Sequence, residues 1–170
     1  DKYGCYSRRE LQEIIESVSA GDVYRKDVPS YIYSFLERYM ATEAAENVIW
    51  EDVIGAYYYD YAMKSPNSFV AGWFEYNLNV NNILIALSAR KYKLAIAETV
   101  VGDGEVATAL RTSGARDFGL AGVVDYIEDL QRLSENGNLL ERERQLDTMR
   151  WAWLDDNSVS KHFSVERLFV

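Results

Sequence analysis

From Ser68 to Tyr92 the chain runs about 25 residues with no proline and a single glycine, Gly72, near its start. At 100° per residue, Phe69, Val70, Trp73, Phe74, Val80, Ile83, Leu84, Leu87 and Tyr92 cover most of the circumference of a helix built from that segment. A helix apolar on so much of its surface is a central one, packed on several sides. That demand predicts an all-α fold, a multi-helix bundle around one long central helix.

Four asparagines interrupt the apolar surface within residues 77–82. Asparagine is a middling helix former and costs free energy when buried without a partner. Counting from Asn79, the residues Glu75, Asn79, Asn82, Ala86, Arg90 and Lys93 share one narrow wedge, the expected solvent face. Asn77, Asn81 and Ser88 fall in the middle of the apolar arc, as a buried polar stripe. Such a stripe fixes helix register by hydrogen bonding to its neighbours, or it lines a ligand cavity.

The other elements have helical signals. Ser7-Arg8-Arg9-Glu10 is a capping box before Leu11, Ile14, Ile15 and Val18, with Gly21 as the closing residue. Pro29 suits the first turn of a second helix with the stripe Tyr31, Ile32, Phe35, Leu36 and Tyr39. A third helix is expected from Ala45 to Lys64, ended by Ser65-Pro66-Asn67. After the long helix, shorter ones are expected over Ala95–Val101, Glu105–Thr112, Gly119–Ser134 and Leu139–Asp156, with a last one beginning near Ser160. No stretch alternates with period two for long enough to predict a strand. Residues 1–170 are read as a single all-helical domain, with N-terminal helices over 1–65 and the long helix and its successors over 66–170, the whole a fragment of a longer chain.

The net charge of −9 comes from 18 Lys+Arg against 27 Asp+Glu, and the excess is spread along the chain. An evenly acidic surface disfavours phosphate-backbone and anionic-membrane binding, so no nucleic-acid partner is expected. No apolar run approaches the roughly 20 residues of a membrane span, so no direct insertion is expected either. The lone Cys5 allows no intrachain disulfide and no cysteine cluster for zinc, and the lone His162 no multi-histidine metal site. No cofactor, metal or catalytic residue is expected. Gly102-Asp103-Gly104 lacks the lysine of a phosphate loop. Asp155-Asp156-Asn157 and Glu141-Arg142-Glu143-Arg144 read as a helix-end loop and a solvated face. Of Trp151 and Trp153, one is expected in the core and the other exposed. The cluster Arg90, Lys91 and Lys93 complements the helix dipole and is the best candidate for contact with an acidic partner.

Asn82-Ile83-Leu84-Ile85-Ala86-Leu87-Ser88-Ala89-Arg90-Lys91-Tyr92-Lys93-Leu94 resembles the recurring helix signature of the C/d-type subunits of V-type ATPases, named C in archaea and d in eukaryotes. The likeness holds at Asn82, Ile83, Leu87, Ala89, Arg90 and Leu94. That family usually has arginine in place of Ser88 and glycine in place of Lys93. With Trp73-Phe74-Glu75, Ala115-Arg116-Asp117-Phe118-Gly119-Leu120 and His162-Phe163-Ser164-Val165-Glu166-Arg167, the chain also resembles an uncharacterised bacterial family. Its members accompany V-type ATP synthase operons in Bacteroidetes-like bacteria. The resemblance implies a helical funnel rather than an enzyme: a cytoplasmic part, peripheral to the inner membrane, coupling the central shaft to the proteolipid ring through protein–protein contacts. The alternative is a helical small-molecule-binding or enzymatic domain with a pocket along Asn77, Asn81 and Ser88.

Overall fold

The computed structural model describes residues 4–22, 25–42 and 48–159. Among them are eight helices and no strand: α1 (Arg8–Ala20), α2 (Ser30–Ala41), α3 (Trp50–Met63), α4 (Ser68–Tyr92), α5 (Ile96–Thr99), α6 (Glu105–Thr112), α7 (Ile127–Glu135) and α8 (Leu139–Val159). The fold is all-α. In its contacts the expected single domain is two compact units, Asp1–Tyr61 and Ala62–Val170. The division falls a few residues before the Ser65-Pro66-Asn67 break.

The first unit is built on local signals. Ser7 accepts from the backbone N–H of Glu10, whose carboxylate accepts from the N–H of Ser7, completing the capping box. Hydrogen bonding from the Ser7 hydroxyl, and then from its backbone N–H, holds the Glu10 carboxyl below its usual range. Gly21 closes α1 at φ 71°, a left-handed conformation that glycine adopts without steric penalty. Pro29 stands just outside α2, at its N-cap. The small core consists of Ile14, Val28 and Tyr33. Tyr33 lies outside the expected stripe, and its hydroxyl accepts from the Arg25 N–H at 2.9 Å. A buried tyrosine needs such a partner.

The second unit is organised by α4, against which α5, α6 and α7 pack. Its core joins Tyr76, Val80, Ile83 and Ala86 of α4 to Val106, Ala107 and Leu110 of α6 and to Ile127, Leu130 and Leu133 of α7. Burying each large side chain is worth about 1.5–3 kcal/mol. The Asn67 carbonyl side chain accepts from the N–H groups of Phe69 and Val70, which starts α4 at Ser68 as expected. The helix expected over Gly119–Ser134 begins only at Ile127. Phe118 and Gly119 both have positive φ, at 57° and 73°, and residues 117–126 form successive turns in place of a helix. On α8, Leu146, Met149 and Trp153 recur at helical steps against the core, whereas Trp151 is 66 % exposed. The helix expected from Ser160, and His162 with it, lie outside the described residues.

Candidate functional site

The faces of α4 are the reverse of those expected. The side centred on Asn79 is the inner one: Asn82 is 1 % exposed, and Val80, Ile83, Ala86 and Ala89 are buried with it. Asn77, Asn81 and Ser88 stand instead on the half-buried side, and Ile85 between them is exposed. The expected buried stripe is therefore a partly wet one. The reason lies in the pairing of Asn82. Its Nδ2 donates to the Val101 carbonyl at 2.7 Å, and its Oδ1 accepts from the Val101 N–H at 3.0 Å. One side-chain amide thus satisfies both backbone groups of a residue 19 positions on. A polar group so paired is buried at little cost. Arg111 donates to the neighbouring Val100 carbonyl at 2.7 Å, so the end of α5 is fixed from two sides.

Asn77 works differently. Its Nδ2 donates back to the Trp73 carbonyl at 2.8 Å, and its Oδ1 accepts from Arg150 Nε at 3.2 Å. It joins α4 to α8 beside an aromatic cluster. Trp153 stacks on Tyr76 with ring centroids 5.6 Å apart and also lies against Phe69 and Trp73. Gly72 lets the Trp153 ring approach closely: a Cβ there would lie 3.4 Å from it.

The expected partner contact divides as well. Lys91 and Lys93 are exposed, but Arg90 is half-buried and engaged. Its guanidinium sits 3.7 Å from the centroid of the Phe118 ring and donates to the Arg116 carbonyl at 2.9 Å. Gln131 donates to the same carbonyl at 3.0 Å. Phe118 is fully buried at φ 57°, a costly conformation for a bulky residue that persists only where its surroundings enforce it. Asp117 accepts from the Gly119 N–H, which holds its carboxyl below the usual range. Lys93 closes α4 at φ 57°. Around this end lies a cleft of about 360 Å³ lined by Leu87, Arg90, Lys91, Arg116 and Gln131, with Ser134 and Glu135.

At the other end of α4 two further clefts share one wall, the aromatic group Tyr76, Tyr126 and Trp153. The first, of about 480 Å³, continues over Glu75, Asn79 and Asn82 to Asp103, Glu105 and the start of α6. The second, of about 440 Å³, is bounded by Asp125, Asp129, Met149 and Asp156. Burial, reinforced by the Tyr76 hydroxyl, pushes the Tyr126 phenol up to about 12, against a hydrogen bond with Asn79 that lowers it. Tyr126 is thus neutral across the physiological range, a hydrogen-bonding group rather than an acid. Ligand-sized space lies on the Asn79 side of α4, and Asn77, Asn81 and Ser88, along which a pocket was the alternative expectation, line none of these three clefts.

The family model described as "Protein of unknown function (DUF2764)" matches residues 1–170. The chain belongs to this family. No curated protein matches it, and no solved structure does.

Among the described residues no group of three or more His, Cys, Asp or Glu side chains could hold a metal ion, and no helix is long and apolar enough to cross a membrane. Gly102, in the glycine pair that lacks a phosphate-loop lysine, turns the chain at φ 81°, and a Cβ there would meet Leu78 at 3.4 Å. The sequence pattern put Asn82 on the solvent face, which its burial overturns, and did not single out Tyr126 or Phe118. For Asn82 the signal was its place beside Val80 and Ile83 on a helix with few wet positions. For Phe118 it was the Asp117–Gly119 turn chemistry, which reads as a helix start when the glycine is taken as a cap.

Proposed function

We propose that this chain is a non-catalytic subunit or accessory protein of a bacterial V-type ATPase or ATP synthase. It would act in the cytoplasm, peripheral to the inner membrane, where the central shaft meets the proteolipid ring. The observation that carries this reading is the role of the residues in which the chain resembles the C/d-type subunits. Asn82 ties the middle of α4 to the end of α5, and Arg90 ties its last turn to the loop before α7. Lys93 takes the left-handed conformation that suits the glycine usual at that position in the C/d family. Each of these positions thus holds or ends the long helix in a fixed way, as a part that passes torque requires. The exposed Lys91 and Lys93 offer a basic contact to an acidic neighbour in the assembly.

Recovery of the tagged full-length protein from mild-detergent extracts of its native membranes tests the proposal. The expected outcome is co-purification of V-type shaft or ring subunits. Recovery of none of them overturns it.

A second reading, a small-molecule-binding or enzymatic domain, is favoured by the cleft of about 480 Å³ beside Asn79 and Tyr126. Cavities of this size take drug-sized ligands. A compound that raises Tm in the parent protein but not in the Asn79→Ala variant would favour this reading over the first.

A further inference from the structure

We infer that the paired clefts around Tyr76, Tyr126 and Trp153 form a docking surface for a basic segment of a partner protein, one cationic side chain entering on each side of the aromatic wall. This inference does not rest on the ATPase reading, since any partner with such a segment would serve.

The wall itself is the first argument. Trp153 stacks on Tyr76, and Tyr126 meets Tyr76 edge-on with ring centroids 5.1 Å apart, so three rings from α4, α8 and the approach to α7 form one partition. The partition separates two spaces of about 480 and 440 Å³. Aromatic faces attract ammonium and guanidinium groups and pack against the methylene stems that carry them.

Charge complementarity selects the occupant. The first cleft is lined by Glu75, Asp103 and Glu105, the second by Asp125, Asp129 and Asp156, and no lysine or arginine lines either. Asp103 is paired with Arg111 and Asp129 with Arg132. Glu75, Glu105 and Asp125 form no ion pair with a described residue and face solvent. The cleft at the far end of α4 has the opposite lining, Arg90, Lys91 and Arg116 against one Glu135. The acidic character is therefore local and not a mere reflection of the net charge. Two separate cation positions on either side of one wall suit a chain carrying two basic side chains better than a single small cation.

The test uses the full chain and a short peptide with two arginines spaced to straddle the wall, titrated by NMR and calorimetry. The expected result is that shifts concentrate on the rings of Tyr76, Tyr126 and Trp153. The triple variant Glu75→Gln, Glu105→Gln, Asp125→Asn should weaken binding about tenfold. A control triple, Glu16→Gln, Glu51→Gln, Glu143→Gln, removes the same charge at exposed positions that line neither cleft and should change affinity by less than about twofold. Equal losses in the two triples would mean bulk attraction and overturn the inference. So would shifts away from the rings, no binding at all, or spermidine binding as tightly as the peptide.

Discussion

Asn82 and Asn77 are the same residue type on the same helix, yet they sit in opposite regimes. Asn82 is buried on the inner face and completes both hydrogen bonds of one distant residue's backbone. Asn77 is half-buried on the other face, bonding to its own helix and to a charged side chain that retains access to water. What makes an asparagine structural is therefore how much of its partner depends on it, and not its position relative to apolar neighbours. Water can replace Asn77. Removing Asn82 takes away the partner of both the N–H and the carbonyl of half-buried Val101 at once.

The sharpest way to break this contrast is to remove each amide. Asn82→Ala should cost about 3 kcal/mol, from two orphaned backbone groups and a small cavity, measured as a lower urea midpoint of the second unit. An unchanged midpoint would mean that the Val101 groups find water. Next in size is Arg90→Gln, which loses the cation–π contact and releases the turn around Phe118. A loss of about 1–2 kcal/mol is expected, with faster hydrogen exchange at the Phe118, Gly119 and Leu120 amides. Lys93→Gly should act in the opposite direction, stabilising by about 1 kcal/mol because glycine takes the left-handed conformation without strain. Asn77→Ala should cost about 0.5 kcal/mol and Ser88→Ala less, both read by the same denaturation curves. Losses there as large as at Asn82 would erase the distinction between the two faces.

The smallest effect at neutral pH is that of Tyr126. Its folded-state value of about 12 lies above the roughly 10 of an unfolded tyrosine. Its contribution is complete below pH 10 and is lost as pH rises from about 10 to about 12, because over that window only the unfolded chain gives up the proton. Tyr126→Phe should leave the midpoint near pH 7 little changed and make the alkaline fall shallower in a series of melts from about pH 8 to about pH 12.

Sequence periodicity located elements well where end signals were strong. Asn67 and the basic last turn placed α4 at Ser68–Tyr92, and Gly104 placed α6 at Glu105–Thr112. The faces of α4 were not legible in the same way. On a helix apolar nearly all round, orientation depends on a few polar residues, and an asparagine reads as wet although its amide can pair as a peptide does. The clefts were hidden for another reason. Tyr76, Tyr126 and Trp153 lie far apart in the chain, and a pattern read one helix at a time does not show that α4 and α8 bring their rings together. Of Trp151 and Trp153, however, the spacing did separate one packed ring from one exposed ring.

Phe118 places an unusual limit on which sequences this fold can accept. The backbone there asks for glycine or asparagine, while the space around the side chain asks for a large ring beneath a guanidinium. Glycine would satisfy the first demand and empty the interior; valine or isoleucine would fail both. The substitutions that position 118 tolerates are thus confined to large rings, which keep the interior filled and the face beneath Arg90 in place.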